Sequence, residues 1–583
     1  MKSYVFDIEA DGLQPTKIFC IVAADVEEKK LISFGPSDIT KGLDLLSKAD
    51  KLIGHNILGY DIPVIKALHG IDLSSKKIVD TLVVSRLFNP TREGGHGLEA
   101  WGHRLKYNKL DFKEFSFYTE EMLVYCKRDV SLNYKVYGHL KAEAKSFSKQ
   151  SIDIEHECYK ILNAQKKKGF LLDIEKSSIL LARLTEKLCE AESEVHKTFR
   201  PTETKTLLKP LKTKTGKPSK MASVVGTSKK VRLSDEEFNK VLEFPLKNLI
   251  RRDSIPFNLG SRKQIGEYLI SFGWKPLEFT PTGQPIVNEK VLEGVKNIKE
   301  AQIISEYLLL QKRIAQIRSW LKEVDMDGRI RGYVNSNGTI TGRMTHSNPN
   351  TAQIPSVRSP YGLECRECWT VPKKYKLVGI DASGLELRML AHYMEDKEYT
   401  NEILNGDIHT TNQKLAGLKS RDQAKTFIYA LIYGAGDAKL GTVVEGGRRE
   451  GETLRRSFLN NLPSFKSFKN RIKREAANGW VRGLDGRKIL VRSEHSALNT
   501  KLQGAGAIVM KAALIILNEK LKGLDASFVA NVHDEWQIEA HQDIADKVGN
   551  LGVKSIEEAG NYLGLKCPLT GEYNVGNNWA ETH

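Results

Sequence analysis

The sequence predicts a multidomain α+β protein. The chain has 583 residues, and at about 150 residues per domain a chain of this length divides into three or four domains. The first ~145 residues read as an α/β domain. From about residue 150 the pattern turns helical and charged, in 152–165 and 177–199. Apolar strand patterns return near the C-terminal end, at 376–381 and 528–540, separated by helical segments.

The chain is strongly basic, with a formal net charge of +17. A charge of this sign suits a protein that binds a polyanion in a salt-dependent way, although it does not establish one. The excess is concentrated between Lys205 and Arg232, where eight Lys and one Arg occur without an acid. Gly, Ser, Thr and Pro lie between these cations. This composition predicts a flexible loop rather than a core element.

The first strand carries two acids. Asp7 and Glu9 are two residues apart, so a strand places them on one face. Further along, Asp61 supplies a third acid and Asp129 a fourth, with Tyr125 one helical turn before it on the same face. Four acids with a tyrosine resemble the pattern of a DnaQ-like 3′–5′ exonuclease. In that interpretation the acids hold two metal ions that activate a water, and Tyr125 orients it.

A second pair of acids lies much later in the chain. Asp381 ends a predicted buried strand, just before a helix begins. Asp534 lies at the predicted turn of a β-hairpin. A strand end and a hairpin tip can place the two side by side, and adjacent carboxylates repel unless cations lie between them. Two Mg²⁺ ions about 3.5–4 Å apart would remove that repulsion and support in-line phosphoryl transfer.

Between these acids, four residues recur at every fourth position. Arg421, Lys425, Tyr429 and Tyr433 therefore share one face of a predicted helix that is roughly 18 Å long. Cations near the helix N-terminus suit phosphates, and the aromatic rings further along suit a sugar and a base. The alternative is a solvated helix face without a ligand. The pattern favours a nucleoside triphosphate site.

These segments resemble motifs of family A DNA polymerases, in particular the replicative polymerases of T-seven-like phages. The resemblance covers the whole chain and includes segments 96–104, 341–343, 350–355, 406–409 and 483–487. It implies a DnaQ-like, RNase H-like α/β exonuclease domain followed by a right-hand polymerase. The implied boundaries are exonuclease 1–145, thumb 146–362 with a basic insertion at 200–256, palm 363–400 and 495–583, and fingers 401–494.

The resemblance also implies roles for individual residues. The polymerase metals would be bound by Asp381, Asp534 and the Ala382 carbonyl, and the exonuclease metals by Asp7, Glu9, Asp61 and Asp129. Catalytic roles would fall to Asp381, Asp534, Lys425, Tyr125 and Glu9. The incoming nucleotide would contact His409, Arg421, Lys425, Tyr429, Tyr433 and Glu386, and the primer–template would contact Arg343, Arg358, Gln503 and His533. Individually, Arg343 and Gln503 could also be ordinary polar surface residues.

Two positions carry finer implications. Glu386 resembles a steric gate that crowds a ribose 2′-hydroxyl and so selects deoxynucleotides. At Tyr429 the family has Phe or Tyr, and Tyr accompanies tolerance of a sugar without a 3′-hydroxyl. The phenolic hydroxyl can replace the missing hydrogen bond and so remove the penalty that rejects the analogue.

The resemblance implies an enzyme that uses Mg²⁺, with Mn²⁺ as an alternative, and that binds primer–template DNA and dNTPs. A monomer in the cytoplasm, or in the host cytoplasm for a viral protein, is expected, joined to a helicase–primase. For the basic insertion three interpretations stay open. It grips the duplex, it binds a thioredoxin-like processivity factor or another host partner, or it is a solvated loop.

Several other patterns point away from competing classes. Seven dispersed cysteines indicate a reducing compartment, and Cys365 and Cys368 lack a second pair for a zinc site. The sequence contains no G-x-x-x-x-G-K-[ST] motif, no run of 18 apolar residues and no visible signal peptide. Two alternatives to a polymerase remain: an exonuclease whose polymerase half is an inactive DNA-binding scaffold, and a non-enzymatic DNA-binding protein.

Overall fold

The protein divides into two compact units. The computed structural model describes residues 2–244, 248–255, 257–276, 278–288, 291–292 and 294–583. One unit contains Met1–Ile174 and Trp320–His583, and the other contains Glu175–Ser319. The second unit lies within the segment predicted as thumb, and the finer boundaries between palm, fingers and thumb stay predictions.

The N-terminal part of the first unit is a five-stranded sheet in the order β3-β2-β1-β4-β5. Its central strand β1 is antiparallel to β2 and parallel to β4. One face of β1 packs on the helix Glu120–Glu143, and the other packs on residues such as Leu43 and Ile65. Burial of both faces explains its nearly continuous apolar sequence. The strands are β1 (Ser3–Ala10), β2 (Ile18–Asp25), β3 (Leu31–Phe34), β4 (Lys51–Gly54) and β5 (Lys77–Asp80), and the helices are Ile39–Ser47, Asp61–His69, Thr81–Phe88, Leu98–Arg104 and Glu120–Glu143.

After the helix Lys149–Lys168 and strand β6 (Phe170–Leu172), the chain enters the second unit. Its apolar core includes Phe199, Phe257, Leu269 and Ile304. A four-stranded antiparallel sheet has the order β10-β7-β8-β9. Its strands are β7 (Thr202–Lys212), β8 (Pro218–Val224), β9 (Lys230–Arg232) and β10 (Leu249–Ile255), and the helices of this region are Ile174–Thr198, Asp235–Glu243, Arg262–Ser271 and Lys299–Lys322.

The expectation of a flexible loop over 205–232 is wrong. The segment forms three strands of this sheet, and Leu208, Ala222 and Leu249 are buried against Val241 of the helix Asp235–Glu243. The lysines are exposed, whereas Leu208 and Ala222 on strands β7 and β8 point inward. The basic composition therefore obscured the strand pattern in the sequence. The segment is part of a small folded insertion and is not the loop that was expected.

The C-terminal part of the first unit is built on a second antiparallel sheet in the order β18-β19-β15-β20. The helices Ala497–Leu521 and Ala545–Tyr562 pack against each other, and the second of them packs on β15 and β20. The strands of this part are β11 (Arg329–Ile330), β12 (Tyr333–Asn335), β13 (Thr345–Ser347), β14 (Trp369–Thr370), β15 (Tyr375–Ala382), β16 (Trp480–Arg482), β17 (Lys488–Leu490), β18 (Ala526–Val532), β19 (Glu535–His541) and β20 (Gly571–Gly576).

Helices between β15 and β18 form most of the remaining core of this part. They surround buried Phe427, Phe458 and Phe465. Their bounds are Leu385–Met394, Lys397–Asn405, Ile408–Ala416, Arg421–Ile432, Asp437–Gly441, Arg448–Asn461, Pro463–Ala476 and Ala497–Leu521, and the short helix Gly362–Glu367 precedes them.

In the part of the chain that the structure describes, one helix is long and apolar enough to cross a membrane. Within Glu494–Leu521, 78% of the qualifying window is buried inside the protein. Lys511 of this helix is also buried and pairs with buried Glu155, which Arg487 contacts at 2.6 Å. A buried ion pair with protein neighbours on all sides is typical of a core helix in a globular protein.

Candidate active sites

The strand pairing brings Asp381 and Asp534 together. In the antiparallel pair of β15 and β19, Asp381 lies opposite Glu535, the residue after Asp534. The Ala382 amide donates a hydrogen bond to the Asp534 carbonyl at 3.2 Å. His533 has a φ of 57°, so the tight turn between β18 and β19 directs the chain sharply at this point. The two carboxylates, 153 positions apart in sequence, therefore lie at one end of the sheet.

The surroundings of both carboxyl groups, Asp381 and Asp534, disfavour their charged forms. Burial, together with the charges of Asp534 and Glu535, raises the pKa of Asp381 to about 7. Burial and the nearby Glu386 raise the pKa of Asp534. Each raised pKa shows that the charged carboxylate is poorly stabilised, because the site is shielded from water and has too little positive charge nearby. Oxygen ligands in this state fit a hard divalent cation such as Mg²⁺.

The helix Arg421–Ile432 presents the predicted face. Arg421 and Lys425 are exposed, and Tyr429 is half-buried. Tyr433 follows the last residue of the helix and is 45% exposed. The rings of Tyr429 and Tyr433 stack with centroids 6.3 Å apart, and the His409 ring lies 6.3 Å from Tyr429. Ser420 caps the helix through the Gln423 amide, so the cations stand near a capped N-terminus.

Arg421 has a protein partner in this structure. Its guanidinium contacts both carboxylate oxygens of Asp407, at 2.7 and 3.2 Å. The Asp407 carboxylate also accepts hydrogen bonds from the His409 amide and the Thr410 hydroxyl. These contacts hold the pKa of Asp407 below its usual value. A phosphate that binds Arg421 must compete with this exposed carboxylate.

Glu386 links the helix face to a third segment. One oxygen of its carboxylate accepts from the Tyr433 hydroxyl at 3.2 Å and from Arg343 Nη2 at 3.2 Å. Arg343 also lines a narrow cleft with His533 and Asp534. Arg343 and His533 thus line the cleft beside Asp534, and Glu386 and Tyr433 are linked to it through Arg343.

The other predicted DNA contacts are less closely tied to the cleft. Gln503 lies one helical turn before Ala507, a residue that lines the cleft, so both share one helix face. Arg358 is exposed in the segment before the helix Gly362–Glu367. No contact between Arg358 and the cleft is found among the described residues, so its role stays a prediction.

The four N-terminal acids also converge. Asp7 and Glu9 lie on the β1 face that packs on the helix Glu120–Glu143, which carries Asp129 and Tyr125. Asp61 starts the helix Asp61–His69, and its Oδ1 accepts from the Ile8 amide at 3.1 Å. The cluster is therefore built from a central strand, a helix start and the middle of a second helix.

Burial raises the pKa of every acid in this cluster, and repulsion from neighbouring acids adds to the shift for Asp7 and Glu9. For Asp7 the causes are burial and then the charges of Asp61, Glu9 and Asp129. Burial is also the largest cause for the other three, and it raises the pKa of Glu9 to about 9 and that of Asp61 to about 7. Asp129 Oδ1 is buried and has no hydrogen-bond partner among the described residues. Such a set of oxygens fits divalent cations.

A thiol also reaches this cluster. The Cys126 sulfur and one carboxylate oxygen each from Asp7 and Glu9 lie within 4.8 Å of one another. Burial raises the pKa of Cys126 well above its usual value. Because a thiolate rather than a thiol binds metal, Cys126 is a poor ligand beside these hard oxygens.

The chain is similar in sequence to known polymerases. Residues 229–581 match the family model described as DNA polymerase family A. The DNA-directed DNA polymerases of Enterobacteria phage T3 and Escherichia phage T7 are each 34% identical to this chain over 705 aligned positions, covering 99% of this chain and 100% of each relative. The chain belongs to DNA polymerase family A.

A solved structure supports the same fold. The POL domain of Pol1 from M. smegmatis, in complex with a DNA primer–template and dNTP, superposes with a TM-score of 0.77 at 17% identity. The match covers 100% of this polymerase and 96% of that chain. The predicted fold, an exonuclease-type α/β domain followed by a right-hand polymerase, is confirmed.

Sequence reasoning gave no role to two residues of these sites, Glu535 and Lys109. Glu535 is buried and accepts from Trp579 Nε1 at 2.6 Å, and its carboxylate lies 3.1 Å from His583 Nδ1. Lys109 contacts Asp129 at 2.6 Å in the N-terminal cluster. Glu535 could have been singled out because it directly follows Asp534 in the sequence. Lys109 lies in an irregular segment without periodicity, so no local pattern marks it.

Proposed function

We propose that this family A polymerase performs template-directed DNA synthesis by two-metal phosphoryl transfer and removes 3′-terminal nucleotides at a second site. The observation that carries the first activity is the adjacency of Asp381 and Asp534 beside the exposed face of the helix Arg421–Ile432. The similarly folded Pol1 domain was solved with a primer–template and dNTP, and we propose the same ligands here.

In the synthesis reaction, Asp381, Asp534 and the Ala382 carbonyl would hold two Mg²⁺ ions, with Mn²⁺ as an alternative. Bound there, the ions would activate the primer 3′-hydroxyl and neutralise the leaving pyrophosphate. The triphosphate would be bound by Arg421, Lys425 and His409. The positive charges of Arg421 and Lys425 would stabilise the negative charge that moves onto the leaving group.

The sugar and base would be checked by residues already in contact. Glu386 would crowd a ribose 2′-hydroxyl, and its bonds to Tyr433 and Arg343 fix its carboxylate. Tyr433 would stack near the templating pair. Arg343, Arg358 and Gln503 would follow the primer–template minor groove, where acceptors are similar for every correct pair. His533 would also contact the primer–template.

Tyr429→Phe should make the enzyme discriminate against dideoxynucleotides. The phenolic hydroxyl of Tyr429 would replace the hydrogen bond lost with the sugar 3′-hydroxyl, and its removal leaves a polar group unpaired in the site. We expect incorporation of a dideoxynucleotide to fall by about 10²-fold or more relative to the normal nucleotide. Single-nucleotide extension kinetics with each nucleotide measure the ratio. An unchanged ratio in Tyr429→Phe would remove this role from Tyr429.

The second proposed activity is 3′–5′ exonuclease digestion. Asp7, Glu9, Asp61 and Asp129 would hold two metal ions that activate a water, and Tyr125 would orient that water. Convergence of all four acids on one buried cluster supports this proposal. The alternative, an exonuclease with an inactive polymerase scaffold, gives no reason for Asp381, Asp534, Arg421 and Lys425 to occur together. A pure DNA-binding protein gives no reason for the N-terminal acids.

A primer annealed to a long single-stranded circle tests both activities in one tube. With dNTPs and Mg²⁺ the primer should lengthen, and without dNTPs it should shorten from its 3′ end. Shortening without lengthening would support the scaffold alternative. Neither change would support a DNA-binding protein.

The basic insertion, predicted at 200–256, is proposed to increase processivity. Its exposed lysines would grip the duplex, or it would bind a thioredoxin-like factor. Each of these two roles has a candidate surface on the insertion. Lys205 and Lys209 are exposed on β7, and between them exposed Leu207 lies directly opposite exposed Ile250 on β10. We also propose a monomeric, cytoplasmic enzyme that joins a helicase–primase.

Two variants of the insertion separate its proposed roles. Lys205→Gln with Lys209→Gln should shorten the product made per binding event if the insertion grips DNA, because phosphate contacts are lost. Ile250→Glu should remove only the stimulation by added thioredoxin if the apolar pair binds it. Product lengths on the circle, with excess unlabelled trap DNA, are the measurement. Unchanged lengths in both variants, with and without thioredoxin, would identify a solvated element without a role in processivity.

A further inference from the structure

Among the described residues, Lys109 is a cation that contacts the N-terminal cluster of four acids. Lys109 Nζ lies 2.6 Å from Asp129 Oδ2, and the side chains of these two residues are only 25% and 5% exposed. The same ammonium lies 4.9 Å from the centroid of the Tyr125 ring. Electrostatic effects of Lys109 extend to Asp7 and Glu9. A largely buried lysine paired with one of these acids differs from the solvated lysines elsewhere on the surface.

The position of Lys109 is built rather than incidental. It lies in the segment 107–118, which joins the helices Leu98–Arg104 and Glu120–Glu143. The rings of Phe112 and Phe115 lie 5.4 and 6.1 Å from that of Tyr125. Arg128, on the same helix as Tyr125, donates to the Asn108 carbonyl at 2.8 Å. The segment is therefore fastened to the helix that carries Tyr125 and Asp129.

The two oxygens of Asp129 have different surroundings. Oδ2 is paired with Lys109, whereas Oδ1 is buried without a partner among the described residues. The Tyr125 side chain interacts with both Lys109 and Asp129. Since a buried carboxylate oxygen without a partner is costly, Oδ1 is the oxygen left for a ligand outside the protein.

We propose that Lys109 is a positioning residue of the exonuclease centre, which holds Asp129 Oδ2 and the Tyr125 side chain so that Asp129 Oδ1 faces the cation site. The inference rests on the proposed exonuclease function. It adds a fixed positive charge that orients a ligand and a water-orienting tyrosine, in the way that hydrogen-bonded neighbours orient ligands in other metal sites.

The chain offers a matched control. Lys113 lies four residues further along the same segment, and its side chain is 85% exposed and lies 3.5 Å from exposed Asp111. Lys109→Met removes the charge and keeps most of the length, Lys109→Arg keeps the charge, and Lys113→Met removes a charge outside the cluster. All three are made in the full chain. Digestion of a 5′-labelled single strand in Mg²⁺ is the first readout.

Mn²⁺ binding is the second readout, and it does not depend on activity. Electron paramagnetic resonance measures free Mn²⁺, in an Asp534→Ala background that removes the polymerase cation site. We expect Lys109→Met to digest about 10²-fold more slowly, Lys109→Arg to stay within about tenfold of the unsubstituted chain, and Lys113→Met to be unchanged. Mn²⁺ affinity in Lys109→Met should be equal or higher, because a competing cation is gone.

Two results would overturn the role of Lys109. The first is digestion by Lys109→Met at the rate of Lys113→Met. The second is a slow Lys109→Met whose Mn²⁺ affinity also falls and which arginine does not rescue, as expected for a residue that only supports the fold. Absence of digestion by the unsubstituted chain would overturn the exonuclease proposal, and this one with it, so the two failures are distinguishable.

Discussion

Asp534→Ala should abolish primer extension and leave digestion of single-stranded DNA intact. The carboxylate lies beside Asp381 at the end of β15, and its loss removes a proposed ligand of both polymerase metal ions. We expect extension to fall by at least about 10³-fold, the scale for losing a group that stabilises transition-state charge directly. Extension of a labelled primer, measured over hours, covers this range.

The control for this variant is Asp543→Ala. Asp543 follows β19, and its side chain is 75% exposed, so both variants remove one aspartate charge from the same part of the chain. Extension by Asp543→Ala should match that of the unsubstituted enzyme. Extension by Asp534→Ala within about tenfold of this control would contradict the assignment of the metal site.

Asp7→Ala should produce the reverse pattern. Asp7 is part of the buried carboxylate cluster with Glu9, Asp61 and Asp129, and it is proposed to bind the exonuclease metals. We expect digestion of a single strand to fall by at least about 10³-fold, with primer extension unchanged or longer because product is no longer removed. Both rates are measured on one labelled primer, with and without dNTPs.

Asp44→Ala is the matched control in this domain. Asp44 lies on the helix Ile39–Ser47, where it pairs with Lys48 and is 58% exposed. Digestion by this variant should be normal. If Asp7→Ala and Asp534→Ala each lost both activities, the two sites would not be independent, and the division of labour proposed here would be wrong.

Periodic segments were predictable from the sequence because their burial follows the period. The face of Arg421, Lys425 and Tyr429 is less buried than the side of the helix that carries Phe427 and Leu431, as a step of four residues on a helix requires. The strand that carries Asp381 and the hairpin that carries Asp534 were also predicted, and β15, β18 and β19 confirm them.

Contacts that depend on how the chain turns between helices and strands could not be predicted in the same way. The pairing of Arg421 with Asp407 joins two helices across a turn, and the contact of Lys109 with Asp129 depends on the path of the segment 107–118. Neither has a sequence period. The prediction of a flexible loop at 205–232 failed for a different reason. Its exposed lysines dominate the composition, while only a few residues such as Leu208 and Ala222 form its core.

Asp381 and Asp534 are proposed to hold a pair of divalent ions jointly, beside the helix that carries Arg421 and Lys425. The most direct test is a crystal structure with primer–template, a non-hydrolysable dNTP and Mn²⁺, in which anomalous scattering locates the ions. We predict two peaks about 3.5–4 Å apart, both bound by the carboxylates of Asp381 and Asp534. Carboxylates that point apart, with no anomalous peak between them, would contradict the account.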